Sequence, residues 1–114
     1  MSIQKIDHTF SESDLSELTT FFPDYVKLVA DIDKNILYGG SEFHADIEKI
    51  LLDQGSIQAS LWGGGVHTKT KKIDCLAIIN IRPGINPDPN ILDSKIRDKF
   101  LKIVKLYFPD YNYG

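Results

Sequence analysis

Residues 39–63 constrain this chain more than any other stretch. Two glycines open it, a helical period fills its middle, a third glycine interrupts it, and an alternating run closes it. Gly39 and Gly40 can take φ > 0 and stop a preceding strand. Ser41 has the chemistry of an N-cap, since its hydroxyl can accept from an orphan amide of the first turn. Glu42 follows in that turn, where the helix dipole favours an anion. Phe43, Ile47, Ile50 and Leu51 repeat with a 3.6-residue period and make an apolar stripe. Gly55 stands at the position of a left-handed C′ cap. Beyond it Ile57, Ala59 and Leu61 alternate with Gln58, Ser60 and Trp62, the period of a half-buried strand. The stretch therefore predicts strand end, helix, turn and a strand over 56–62.

The flanks follow from the same rules. Ser11 with Asp14 predicts a capped first helix, Leu15, Leu18 and Phe22 its core stripe, and Pro23 its end. Residues 25–32 alternate: Val26, Leu28, Ala30 and Ile32 share one face, and Lys27, Val29 and Asp31 the other. Asp33-Lys34-Asn35 is turn chemistry, so residues 25–39 predict a first hairpin. Residues 63–72, three glycines and then a Lys-rich run, predict a long flexible loop. Residues 73–81 alternate with apolar side chains on both faces and predict a central strand. The proline run 83–89 cannot be regular structure. Asp93 or Asp88 caps a last helix whose stripe is Ile96, Phe100, Ile103, Val104 and Tyr107, with Pro109 ending it. The expected fold is α+β in the order α-β-β-α-β-β-α, a four-stranded antiparallel sheet with helices packed on it. One domain over 1–114 is expected, with 1–9 as a flexible N-terminal arm and 109–114 as a loose tail.

Composition bounds the function. With 114 residues, a core can form without metal or disulfide. Thirteen basic against sixteen acidic residues argue against nucleic acid, whose sequence-independent binding needs a basic surface. The single cysteine, Cys75, excludes an internal disulfide and fits a reducing compartment. Residues 1–10 lack a signal-peptide pattern, and no apolar run approaches the roughly 20 residues of a membrane span. A cytoplasmic protein with no membrane partner and no implied cofactor is the expectation.

Gly39-Gly40, His44-Ala45-Asp46, Glu48, Leu51-Leu52, Gly55-Ser56, Gln58, Leu61-Trp62-Gly63 and Ile79-Asn80-Ile81-Arg82-Pro83 together resemble a family of small uncharacterised proteins, domain of unknown function 5674. The resemblance covers about residues 25–105. It implies a bacterial or archaeal intracellular protein and carries no assigned chemistry. The chain departs from the family pattern after Trp62, so no family role passes to His67 or the lysines.

Four groups of residues are candidates for function. His44 and Glu48, at i and i+4, share a helix face and could share a divalent metal. A third ligand would have to come from His67, His8 or Asp74, while Asp46 points elsewhere. Read plainly, Glu42, Asp46 and Glu48 are a solvated acidic face. Gln58, Trp62, Asn80 and Arg82 form the second group, with Ser60 and Asp74 beside them. On paired strands they would share a face suited to a planar or anionic small molecule. Their plain reading is that Asn80 and Arg82 satisfy carbonyls of the proline loop. The third is an apolar excess, Val29, Leu37, Trp62, Leu76 and Ile78. Left uncovered, it would support a homodimer through the sheet; a first helix crossing to that face would cover it. The fourth is the run 63–72, whose glycine amides and lysines could cradle phosphate, although it does not enter a helix as a P-loop does. Cys75 lies mid-strand, where a thiol is inert, and no serine occupies a Gly-x-Ser-x-Gly elbow.

Two functions follow. The first is a non-catalytic binding or regulatory module, homodimeric, recognising a protein or small ligand through a mixed sheet face. The second is a metal-dependent hydrolase or nuclease using His44 and Glu48. No motif names a reaction.

Overall fold

The computed structural model describes residues 3–11, 13–15, 22 and 24–114. The fold is α+β. Among the described residues six strands form one sheet: β1 Gln4–Ile6, β2 Tyr25–Asp31, β3 Ile36–Gly39, β4 Leu61–His67, β5 Lys72–Asp74 and β6 Asn112–Tyr113. Their spatial order is β1-β3-β2-β4-β5-β6. Neighbours are antiparallel except β5 and β6, which run parallel. Helix α1 is His44–Asp53 and helix α2 is Ser94–Tyr107.

The expected four-stranded antiparallel sheet is thus too small. Both ends of the chain enlarge it. Part of the 1–9 arm becomes β1 on β3, and part of the 109–114 tail becomes β6 on β5. The expected first helix falls mostly on residues outside the described ones. Its described part, 13–15, is helical. There the Asp14 amide donates to Ser11 Oγ at 3.3 Å and the Ser11 amide to Asp14 Oδ2 at 2.9 Å, a reciprocal capping box.

The first hairpin forms over the expected residues. Its turn closes on Asp31, whose Oδ1 accepts from the amides of Asp33 and Lys34. Asp31 is 1% exposed, and its other oxygen accepts from Ser56 Oγ at 2.7 Å. The hairpin turn is thereby tied to the end of α1. That helix ends as its glycine predicts. Gly55 has φ +101°, its amide donates to Leu52 O, and the Ser56 amide donates to Leu51 O. This is the paired bonding of a Schellman motif.

The start of α1 differs from expectation. Phe43, not Ser41, is the N-cap, and it makes no side-chain cap bond. Ser41 acts two residues earlier. Its Oγ accepts from the Phe43 amide and donates to Asp46 Oδ2. His44 is therefore the first helical residue.

Two expectations about strands fail, for tertiary reasons. Residues 58–60 are a 3-10 turn, and β4 runs from Leu61 through all three glycines to His67. The run 63–72 is thus mainly a buried strand between β2 and β5, with only 68–71 as a turn. The glycines are there for close approach. A Cβ on Gly64 would stand 2.2 Å from Asp74 O and 2.8 Å from the Phe100 ring. One on Gly65 would meet the Tyr25 hydroxyl at 2.2 Å. The expected central strand over 73–81 shrinks to β5, and residues 78–80 form another 3-10 turn.

Asn80 explains why the chain turns there. It is fully buried, and its Oδ1 accepts from the Gly63 amide at 2.8 Å. Its Nδ2 donates to Gly63 O, Cys75 O and Pro89 O. One side chain thus binds β4 to the proline loop and competes with any ladder bonding of its own segment. Asn86 holds the rest of that loop, donating from Nδ2 to the carbonyls of Asn80, Asp88 and Asn90.

The core lies on both sheet faces. Phe100, Ile103 and Val104 of α2 pack with Val26, Leu28, Ala30, Leu37 and Trp62. Ile47 and Leu51 of α1 pack on the other face with Val29 and Leu61. Of the two expected caps, Asp93 and not Asp88 caps α2, accepting from the amides of Lys95 and Ile96. The uncovered apolar face does not exist as expected. Val29 and Leu37 are fully buried and Trp62 is 2% exposed, because a helix covers each face. Only Leu76 and Ile78 of that group are exposed.

Candidate functional site

Strand register builds a polar site on the α1 side of the sheet. Tyr25 pairs with His67, Lys27 with Gly65, and Gly65 in turn with Asp74. Alternation then puts Tyr25, Lys27, His67 and Asp74 on one face. Between them lie Gly63 and Gly65, which add no side chains to it. The Tyr25 phenol crosses over Gly65 and donates to Asp74 Oδ1 at 3.3 Å. Asp74 Oδ2 lies 2.8 Å from His67 Nε2, and the His67 and Tyr25 rings stand 4.7 Å apart. Burial and the adjacent Asp74 carboxylate push the Tyr25 hydroxyl far above its ordinary range, so it stays protonated and donates.

His44 enters from the first turn of α1. Its Nε2 stands 2.7 Å from Gly64 O. A carbonyl only accepts, so Nε2 carries the proton, and neutral His44 keeps Nδ1 as an acceptor. Burial, chiefly, and the charge of Lys27 hold His44 below its usual pKa, while the Gly64 bond and Asp74 pull the other way. The ring is thus neutral at pH 7.

A cleft of about 400 Å3 opens beside it, lined by Lys27, Phe43, His44, Asp46, Ile78 and Ile79, together with Ala45. Phe43 is 56% and Ile78 75% exposed, so two large apolar side chains stand at its rim. Lys27 Nζ donates to Glu42 O at 2.7 Å and lies 5.0 Å and 5.6 Å from the ring centroids of Phe22 and Phe43. Among the described residues it has no carboxylate within ion-pair distance. The arrangement offers a cation, a neutral imidazole and an apolar rim within one concavity.

Glu48 does not join His44. Its Oε2 is buried with no hydrogen-bond partner among the described residues, and the charge it influences is Arg82. Among the described residues no three His, Cys, Asp or Glu side chains stand close enough to hold a metal ion. Among the described residues the geometry supplies no third ligand for the His44–Glu48 pair. His67 and Asp74, the named helpers, bond to each other instead.

Three of the four residues expected to bind a ligand meet elsewhere. Gln58, Trp62 and Arg82 line a second cleft of about 340 Å3 with Ile81, Pro83 and Ile85. The Arg82 guanidinium lies 4.0 Å from the Trp62 ring centroid. Its Nη2 donates to Leu61 O and its Nε to Ile79 O at 3.4 Å. Arg82 is 9% exposed, so this stack forms a buried floor. Asn80 stands behind it, with both ends of its amide bonded to the chain. Ser60 Oγ is bonded to Asp33 and Asp74 belongs to the His67 cluster.

Sequence reasoning missed Tyr25 and Lys27. Tyr25 reads only as the start of the alternating strand, and Lys27 as sharing a face with Val29 and Asp31. Their pairing with His67 and Gly65 was the signal, and it appears only once 63–67 is recognised as a strand.

A family model described as protein of unknown function (DUF5674) matches residues 4–107. No curated protein and no solved structure matches the chain.

Proposed function

The chain belongs to a family of proteins of unknown function, DUF5674, and since that family names no reaction we propose a function from geometry: a non-catalytic binding module that takes a small carboxylate with an apolar arm in the His44 cleft. The observation that carries this reading is the meeting of a cation with no carboxylate partner among the described residues, Lys27, and an exposed apolar rim, Phe43 and Ile78, around one concavity. The carboxylate faces Lys27, and the arm lies on Phe43 and Ile78 beside the neutral His44 ring. Asp46, also in the wall, is turned to Ser41. A binding role fits better than hydrolysis because His44 spends Nε2 on Gly64 and, among the described residues, no activated nucleophile is bonded to it. Burial pushes the Cys75 thiol up to about 12, which removes the only thiol from consideration.

Saturation-transfer NMR with hexanoate and 3-phenylpropionate, against their neutral amides, tests the reading. Transfer to the carboxylates that is lost in Lys27→Met and in Phe43→Ser supports it. Equal transfer to acids and amides, or transfer that survives both substitutions, rejects it.

A further inference from the structure

Helix α2 carries charge unlike the rest of the chain. It holds five of the thirteen basic residues and one of the sixteen acidic ones, leaving eight basic against fifteen acidic elsewhere. Lys95, Lys99, Lys102 and Leu106 recur at i, i+4, i+7 and i+11 and so form one stripe. All four are exposed, Leu106 at 59%. Among the described residues none of these lysines has a carboxylate within ion-pair distance. Beside the stripe runs a groove of about 530 Å3 between α2 and the first hairpin turn, lined by Ile32, Asn35, Lys99, Lys102, Ile103 and Leu106. Its apolar floor is framed by two ammonium groups.

We propose that this stripe docks an acidic protein segment that places one apolar side chain in the groove between Lys99, Lys102 and Leu106. Charge complementarity selects the partner: lysines with no carboxylate partner among the described residues, on a chain that is otherwise acidic, attract carboxylates and set orientation. The groove supplies the anchor that a charge stripe lacks. A membrane surface fits poorly. The apolar face of α2 is spent on the core through Phe100, Ile103 and Val104, whereas an interfacial helix keeps that face for lipid. Nucleic acid also fits poorly, because the stripe has no arginine fork and no exposed aromatic ring for stacking.

The test uses the full chain and a fluorescein-labelled peptide of glutamates flanking a central Leu-Phe pair, read by anisotropy. Duplex DNA and vesicles containing anionic lipid serve as competing probes. Saturable peptide binding is expected, weakening as salt rises. The pair Lys99→Glu and Lys102→Glu should lose at least about tenfold in affinity. Leu106→Ser should lose several-fold and carries the test on its own if the double reversal unfolds the chain. Absence of saturable binding overturns the proposal, as does undiminished affinity in Leu106→Ser. Tighter binding to DNA or to vesicles than to the peptide also overturns it.

Discussion

His44 Nε2 stands 2.7 Å from the carbonyl oxygen of Gly64, so a helix N-terminus is bonded to the middle of a glycine strand. That contact joins the two halves of the site. It fixes the tautomer of the imidazole, and it depends on β4 being a strand at this point.

Acid should weaken the fold through His44. His44 is held below its ordinary value of 6.5 in the fold, so the unfolded chain binds its proton more readily. Stability is then complete above about pH 6.5 and falls as pH drops below it. Urea midpoints measured between pH 7.5 and 5.5 should decline in the wild type and decline less in His44→Asn. Equal slopes would remove His44 as the cause.

The glycine strand is tested by Gly64→Ala. Its Cβ would meet the Asp74 backbone at 2.2 Å, and backbone cannot move aside cheaply. A loss of about 3 kcal/mol is expected from overpacking of this kind. Gly84→Ala, where the added carbon meets nothing within 4 Å and only φ +78° resists it, should cost about 1 kcal/mol. Denaturant titration of the two variants separates a packed strand from a mobile loop.

Asn80→Ala removes four hydrogen bonds and strands the Gly63 amide and carbonyl in the core. A loss of roughly 2–4 kcal/mol follows from unsatisfied buried backbone groups. Asn80→Asp should also destabilise, since a carboxylate cannot donate to three carbonyls. Thermal melts of both variants check this.

Cys75 is 1% exposed with its thiol pushed up to about 12 by burial. Iodoacetamide at pH 8 should leave it unmodified in the folded chain and label it in urea. Mass spectrometry reads the difference.

What was legible in the sequence was locally determined. The first hairpin, the glycine cap of α1 and the Asp93 cap of α2 each rest on neighbours within a few residues, and each formed as expected. The misreadings share a different cause. Three consecutive glycines signal mobility by local rule, yet here Tyr25, Phe100 and Ala77 approach from distant segments and require the missing side chains. The alternation over 73–81 signals a strand, yet Asn80 withdraws that segment from the sheet by bonding across to Gly63 and Pro89. His44 was legible as a candidate residue. Its partners were not, because register places Lys27 and Asp74 beside it, and register depended on the misread strand.

The most direct measurement is the imidazole 15N spectrum of His44, before and after adding 3-phenylpropionate. A neutral, Nε2-protonated ring is expected in the free protein, with a shift of the Nδ1 resonance as the cleft fills. A ring protonated on Nδ1, or His44 signals that stay fixed at saturating carboxylate, would contradict it.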